Sequence, residues 1–345
     1  MKILNVGIIG FGLSARVFHT PLLKAHGGFK IKTICSSRTD EVKNILPDAK
    51  VVSDPYELIS DNKLDLVVNC APNSFHYTYT AAVLENNKHV VVEKPFVNKH
   101  EEGVKLISLA QKNRKVLSVF HNRRWDSDFL TIQRLLAEKK LGEIKQFESH
   151  FDRWRPVFRP ERWREQNNVG AGMLYDLGAH LIDQALVLFG MPDKLVADIA
   201  VQKKNGLADD YFHLLLMYKS TRVILHSTSF TSASPRFQIW GEKANFIKYG
   251  LDPQEDQLKE GLDPLSSSYG AEQTEKYGKL MWPTTNTVEN YPSEKGNYQQ
   301  YYNSLYEYIV HDRGDLPVLA KDALNVIQLI ELARQSSLLG KAMVL

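Results

Sequence analysis

The chain has 345 residues, 43% of them hydrophobic and 24% charged, with a formal net charge of +3; it is too long for one ordinary core and far from the composition of a disordered chain, so two globular domains are expected. A pI ≈ 8.6 is too mildly basic to point to a nucleic-acid or membrane partner. Two cysteines, Cys35 and Cys70, cannot support a disulfide framework or a zinc site, and are expected as reduced, buried, inert thiols.

The apolar run 3–13 begins almost at the first residue. It lacks a basic n-region and a small-residue cleavage site, and is far shorter than the ~20 residues that span a bilayer. No other stretch reads as a span, so the expected location is the cytoplasm.

Short apolar runs and helical patterns alternate through the first 120 residues. Strands are expected at 4–9, 29–35, 50–52, 64–70, 90–93 and 116–120, with helices at 16–25, 39–46, 55–60, 74–86 and 100–113. Leu66-Val67-Val68 and Val90-Val91-Val92 are apolar on both faces, as strands covered by helices on both sides must be. Repeated strand–helix units with right-handed crossovers give an open, doubly wound parallel sheet of the Rossmann type. After Arg123 the pattern changes. Helices at 127–138 and 174–189 precede alternating stretches at 144–151, 194–202, 211–218, 222–230 and 237–247, which read as the strands of a large, mostly antiparallel sheet. Residues 251–297, rich in Gly, Pro, Ser and charge, read as a long surface excursion, and helices at 298–311 and 321–339 close the chain. The expected fold is α/β, with a Rossmann domain over 1–122 and an α+β domain over 123–345 that binds substrate and mediates oligomerisation.

The turn Gly10-Phe11-Gly12-Leu13-Ser14-Ala15 fits G-x-G-x-x-A between the first strand and the first helix. Its first glycine permits the tight turn, and its second lets the backbone approach a pyrophosphate that meets the helix N-terminus. A dinucleotide is the expected cofactor. NAD-specific sites usually carry a carboxylate at the end of the second strand. Here that place reads Cys35-Ser36-Ser37-Arg38, and hydroxyls with a guanidinium suit a 2′-phosphate. NADP is therefore expected with NAD as the alternative, the lesser reading of Arg38 being a solvated loop charge.

Three further segments stand where a catalytic site needs them. The fifth strand ends in Glu93-Lys94-Pro95, at the carboxyl edge of the sheet where ligands bind in open α/β folds. Asp176 and His180 are spaced i,i+4 after Gly170-Ala171-Gly172, with Leu174, Leu177, Leu181 and Leu188 on the opposite side; such a pair also occurs on plain surfaces. Phe120-His121-Asn122-Arg123-Arg124-Trp125 carries the chain out of the first domain, a favoured place for a pocket, with Arg124 a candidate substrate contact. Between 153 and 164 arginines alternate with aromatics. The balanced charge argues against single-stranded nucleic acid. Trp154, Arg155, Trp163 and Arg164 are candidates for contact with substrate or nicotinamide, a surface loop or subunit contact being the alternative.

Over essentially its whole length the chain resembles the Gfo/Idh/MocA oxidoreductase family. The likeness is carried by Gly10-Phe11-Gly12, Ala71-Pro72-Asn73-Ser74-Phe75-His76, Glu93-Lys94-Pro95 and Asp176…His180. The stretches His121-Asn122-Arg123-Arg124-Trp125-Asp126, Asp152-Arg153-Trp154-Arg155-Pro156 and Tyr249-Gly250-Leu251-Asp252-Pro253-Gln254-Glu255 are similar to its NADP-dependent scyllo-inositol dehydrogenase branch. The resemblance implies a catalytic set of Lys94, Asp176 and His180, and nicotinamide-side contacts from Pro72, Asn73, His76, Glu93, Lys94 and Asn122. It implies hydride transfer between NADP(H) and a polyol, scyllo-inositol giving scyllo-inosose, with no metal. An aldose dehydrogenase, a keto-sugar reductase or a non-catalytic dinucleotide sensor are the alternatives. Ala171 departs from the three glycines of many relatives. The broad second sheet implies a homodimer or homotetramer.

Overall fold

All four residues of Leu66–Asn69 are buried, and so are three of the four in His89–Val92; a strand meets that condition only when helices cover both faces of its sheet. The computed structural model, which describes residues 2–345, builds this sheet from β1 (Leu4–Ile9), β2 (Phe29–Cys35), β3 (Lys50–Val52), β4 (Leu66–Asn69), β5 (His89–Val92) and β6 (Leu117–Val119). All pairings are parallel, in the order β3-β2-β1-β4-β5-β6. This is the doubly wound order, and it reverses between β1 and β4, so the carboxyl ends of those strands open at the topological switch point. Helices α1 (Thr20–His26), α2 (Thr39–Ile45), α3 (Pro55–Ser60), α4 (His76–Glu85) and α5 (His100–Lys112) make the crossovers. Cys35 closes β2 and Cys70 follows β4, on either side of β1, and both thiols are free. Cys70 is only half-buried as a residue, not fully buried as expected. Burial pushes the Cys35 thiol up to about 11 and the Cys70 thiol well above its ordinary value, so neither is a ready nucleophile.

The second sheet has nine strands: β7 (Ile144–His150), β8 (Lys194–Ala200), β9 (Tyr211–Met217), β10 (Arg222–Thr228), β11 (Phe237–Gly241), β12 (Asn245–Lys248), β13 (Gly278–Trp282), β14 (Thr287–Tyr291) and β15 (Met343–Val344). Their order is β14-β13-β12-β11-β7-β10-β9-β8-β15, antiparallel except where β7 meets β10. Alternate residues are buried, among them Phe147, Phe212, Leu214, Val223, Leu225, Phe237 and Ile239, and the period of two presents the others on the opposite face. From the start of β11 Arg236 reaches Asp128 of α6 (Ser127–Ala137) at 3.5 Å and Gln184 of α7 (Ala179–Phe189) at 2.9 Å.

Several expectations change. The alternation over 237–247 predicts one strand, but the pairing with β7 shifts register between Trp240 and Gly241, where a Cβ would sit 2.1 Å from Leu141 O, and Glu242-Lys243 turn the chain into β12. The segment 251–297 is not a surface excursion: it contains α8 (Gln254–Lys259), strands β13 and β14, and Glu272, whose carboxylate forms a buried ion pair with Lys248 at 2.7 Å. Helices expected from residues 16 and 174 each open with a π-helical turn, Ala15–His19 and Leu174–Gly178.

The chain forms two compact units. One contains the parallel sheet and residues up to 125, with 254–269 and 297–324; the other contains 126–253, 270–296 and 325–345. Composition explains the return. α9 (Gln299–His311) is a tyrosine-rich helix whose Tyr301, Tyr302 and Tyr306, with Tyr298 before it, are fully buried. Tyr301 Oη donates to Ser118 Oγ (2.9 Å), and Ser118 Oγ donates to Val318 O (2.8 Å), which ties β6 to this segment. α10 (Ala320–Leu339) ends the helical part of the chain. Among the described residues no helix is long and apolar enough to cross a membrane.

Candidate active site

In the first unit the glycine turn follows β1. Gly10 has φ +87°, and a Cβ there would lie 2.6 Å from Cys70 O, so only glycine fits between the ends of β1 and β4. Gly12 differs: a Cβ would meet nothing within 4 Å. The space over Gly12 is an open cradle at the switch point, which a side chain would fill and which backbone leaves free for a pyrophosphate. Phe11 and Ala15 are buried and hold the turn, while Leu13 is exposed.

A buried carboxylate anchors this turn. Glu93, at the end of β5, accepts hydrogen bonds from Ser14 Oγ, from His19 Nε2 (3.0 Å) and from Lys94 N (3.0 Å). His19 Nδ1 lies 2.6 Å from the hydroxyl of Tyr302, and the imidazole packs on Phe120. Burial pushes the Glu93 carboxyl up, but His19, Ser14 and the Lys94 charge outweigh it and hold the group at about 2. Glu93 is thus an ionised anchor placed among donors. Lys94 follows it, half-buried, before a cis bond to Pro95.

The turn after β4 is built around Asn69 and His76. Asn69 Nδ2 donates to Thr80 Oγ1 (3.2 Å), and its Oδ1 accepts from Ala71 N (3.2 Å). His76 is buried, with Nδ1 2.7 Å from Pro95 O and Nε2 3.0 Å from Ala71 O. Burial lowers its pKa, against the pull of the Pro95 carbonyl. Its ring therefore links the turn 71–73 to the loop 94–95, and both of its nitrogens are engaged by backbone. Pro72 is exposed and Asn73 and Asn122 are buried.

After β2, Ser36 Oγ accepts from Arg38 N (3.0 Å), Ser37 is exposed, and the Arg38 guanidinium lies 3.4 Å from Glu41. Arg16, from the π turn, binds the other oxygen of Glu41. One guanidinium thus lies against each oxygen of Glu41 at the end of β2. Arg124 pairs with Asp322 at 3.3 Å, and Arg123 with Glu255 at 2.9 Å.

In the second unit Asp176 lies in the π turn 174–178, and His180, 6% exposed, is in the first turn of α7. Leu174, Leu177 and Leu181 are buried, with Leu188 half-buried. The loop before them depends on Asp209, which accepts from Leu174 N at Oδ2 (2.7 Å), accepts from Met173 N at its backbone oxygen (2.8 Å), and lies 3.4 Å from Arg334. Gly172 has φ +93°, and a Cβ there would lie 2.2 Å from Asp209 Oδ1; Gly170 has φ +78°. Ala171, between them, is buried without a positive φ, so the middle position accepts the alanine. Arg164 Nε lies 3.3 Å from Asp176 Oδ1, which brings two sequence-selected residues together. Trp163 and Arg155 are exposed and Trp154 is 64% exposed, with Trp154 bridged by backbone to Phe230.

Sequence reasoning misses His19, Tyr302, Asn69, Asp209 and the Arg16–Glu41 pair. Arg16 and His19 sit in the very helix the glycine turn opens, and that was the available signal. Tyr302 and Asp209 act across 283 and 35 residues and carry no local mark.

This pairing of a doubly wound dinucleotide-binding unit with a broad-sheet unit defines an oxidoreductase architecture. Residues 4–121 match the model for the oxidoreductase family, NAD-binding Rossmann fold, and residues 133–344 match that for the oxidoreductase family, C-terminal alpha/beta domain. The chain belongs to the Gfo/Idh/MocA oxidoreductase family, and its cofactor is a nicotinamide dinucleotide. It is 44% identical over 337 residues to scyllo-inositol 2-dehydrogenase (NADP(+)) IolW of Bacillus subtilis, covering 97% of this chain and 94% of that protein. It is 42% identical over 335 residues to the oxidoreductase YdgJ of Escherichia coli, covering 97% and 96%. A solved structure of the oxidoreductase yvaA of Bacillus subtilis superposes with a TM-score of 0.96 at 43% identity, covering 100% of this chain and 99% of that one.

The folded value of Glu93 lies below its ordinary 4.5, so its ionisation stabilises the fold above that pH and the contribution is lost as pH falls towards about 2. His19→Ala is expected to lower the urea unfolding free energy by about 3–5 kcal/mol at pH 7, with the deficit shrinking as the pH is lowered through this range. A deficit of equal size at pH 3 and pH 7 would show that His19 acts by packing alone.

Proposed function

We propose that the chain is an NADP(H)-dependent dehydrogenase of polyols, interconverting scyllo-inositol and scyllo-inosose. What supports this most is the likeness over 97% of the chain to a relative named scyllo-inositol 2-dehydrogenase (NADP(+)), together with the open cradle over Gly12. The cofactor set is Gly10 to Ala15, Ser36, Ser37, Arg38, Pro72, Asn73, Glu93, Lys94, Asn122, Trp163 and Arg164. His76 joins it as the residue that positions two loops. Arg38 and Arg16, flanking Glu41, match a 2′-phosphate in charge and in forked geometry.

When bound, the nicotinamide ring supplies the hydride acceptor or donor. Lys94 donates from Nζ to the reacting oxygen and offsets the negative charge that develops there. A ring nitrogen of His180 takes the hydroxyl proton in oxidation and returns it in reduction. Asp176, held by Arg164 at 3.3 Å, orients the imidazole or a substrate hydroxyl, and Arg124, Trp154 and Arg155 contact the polyol. We further infer a cytoplasmic homodimer or homotetramer joined through the second sheet. Its half-buried face presents Leu215 and Ile224, with Trp240 more exposed, and a single-chain mass in sedimentation would overturn that part.

Turnover with scyllo-inositol, myo-inositol and glucose, each with NAD+ and NADP+, tests the reading. Scyllo-inositol with NADP+ is expected to give the highest kcat/KM, and tight NADP+ binding without turnover of any polyol would favour a dinucleotide sensor. Lys94→Ala is expected to lower kcat by about 100- to 1,000-fold while the dissociation constant for NADPH stays near that of the unsubstituted chain. Replacing Ser37→Asp and Arg38→Ala together is expected to raise KM for NADP+ by about 10- to 100-fold, the worth of one hydrogen bond to a charged group or somewhat more. A preference for NADP+ that survives the double substitution would remove that loop from cofactor selection.

A further inference from the structure

A cluster of nitrogen and oxygen ligands in the second unit has no part in the chemistry above. β7 and β10 run parallel with His150 opposite His226, and β9 sets His213 opposite His226, so three imidazoles form a row on the half-buried face of the sheet. Asp152, just past β7, turns its carboxylate back to this row and accepts from Thr228 N at Oδ1 (2.9 Å). Its Oδ2 lies 3.4 Å from His150 Nδ1, and its Oδ1 lies 3.7 Å from His226 Nε2. One ligand atom from each of His150, Asp152 and His226 lies within 4.8 Å of the other two. Their side chains are 14%, 3% and 16% exposed.

His150 Nδ1 and Asp152 Oδ2 are buried and form an ion pair at 3.4 Å. Burial lowers the His150 imidazole, but Asp152 and Glu148 outweigh it and raise the group to about 9, so a cation bound at Nδ1 takes the place of a proton already held between the two side chains. On the far side of the ring, His150 Nε2 lies 3.3 Å from Glu148 Oε2, which also accepts from Gln238 Nε2 (3.2 Å). Glu148 on Nε2 orients the ring so that Nδ1, once its proton is displaced, offers a lone pair, the arrangement that surrounds metal-bound histidines. His213 Nδ1 lies 3.4 Å from His226 Nδ1 and positions that ring while Nε2 points towards Asp152.

We propose that His150 Nδ1, the Asp152 carboxylate and His226 Nε2 bind one divalent cation of the borderline class, Zn2+ or its neighbours Co2+ and Ni2+, with a fourth position open. Two imidazoles and one carboxylate suit these ions, whereas Mg2+ and Ca2+ take all-oxygen shells. Zn–N and Zn–O bonds of about 2.0–2.2 Å place tetrahedral ligand atoms roughly 3.3–3.6 Å apart. The pair of His150 Nδ1 with Asp152 Oδ2 already has that spacing; His226 Nε2 lies 3.7 Å from the other oxygen, Oδ1, and the three ligand atoms, within 4.8 Å of one another, draw together when the ion binds. The site uses no residue assigned to oxidoreduction, and it stands or falls independently of the substrate.

The test uses the full chain, stripped with a chelator and titrated with Zn2+ by calorimetry and with Co2+ by visible absorption. The expected result is one ion per chain, with the strong d–d bands of a four- or five-coordinate Co2+ site. His226→Gln and Asp152→Asn, checked for folding by circular dichroism, are each expected to weaken binding at least 100-fold, and Glu148→Gln by about 10- to 100-fold. A weak octahedral Co2+ spectrum, affinity unchanged by the substitutions, or no binding beyond that of a chain lacking all three ligands would overturn the proposal and leave the cluster an ion-pair network. The wild-type Co2+ spectrum decides the matter if a variant fails to fold.

Discussion

The carboxylate of Glu93 organises the first unit. An ionised group away from water survives only where donors surround it, and here they come from the cofactor turn (Ser14), from the helix that the turn opens (His19) and from the backbone of Lys94. Three segments are therefore brought to one point by one charge. His19 is held in turn by Tyr302 of α9, which explains why a helix almost three hundred residues later belongs to the dinucleotide-binding unit. The low dielectric that makes such a network costly when incomplete makes it strong when complete.

The second unit repeats this construction with other residues. A glycine at positive φ precedes a π-helical turn, and a buried carboxylate from a distant segment accepts a backbone N–H at the start of that turn: Asp209 for Leu174. Side-chain volume is excluded at Gly10 and Gly172 by neighbouring oxygen atoms. It is admitted at Ala171, and at Gly12 a side chain would fill only open space. The four positions thus divide into two demanded by packing, one that tolerates a methyl group, and one whose freedom serves a ligand. π turns interrupt the regular ladder and recur at functional sites, and both fall on helices that carry site candidates.

The broad sheet owes its single parallel pairing, β7 with β10, to a chain path that returns between β9 and β11. That pairing sets His150 beside His226. The period of two then keeps both rings on the half-buried face together with Glu148 and His213, while Phe147, Phe212 and Val223 fill the covered one.

Much of the fold was legible in the sequence because its signals are local. Strands apolar on both faces, alternating strands, and the glycine turn at Gly10 each depend on a few adjacent residues, and they led to a parallel doubly wound sheet followed by a mostly antiparallel one. Gly241, just before the turn into β12, carries no local signal of that turn because the alternation continues across it. The stretch 251–297 misled because its Gly, Pro and Ser content resembles a loop, although α8, β13 and β14 lie within it. For the site, residue order names the chemical groups present: glycines after β1, Ser36-Ser37-Arg38 after β2, Lys94 after β5, and Asp176 with His180. What those groups touch is fixed by folding, from Glu93 among its donors to Asp176 beside Arg164 and His76 between two carbonyls. Hydrogen bonds and ion pairs join atoms near in space, and spacing along the chain records them only when both partners lie on one helix or turn.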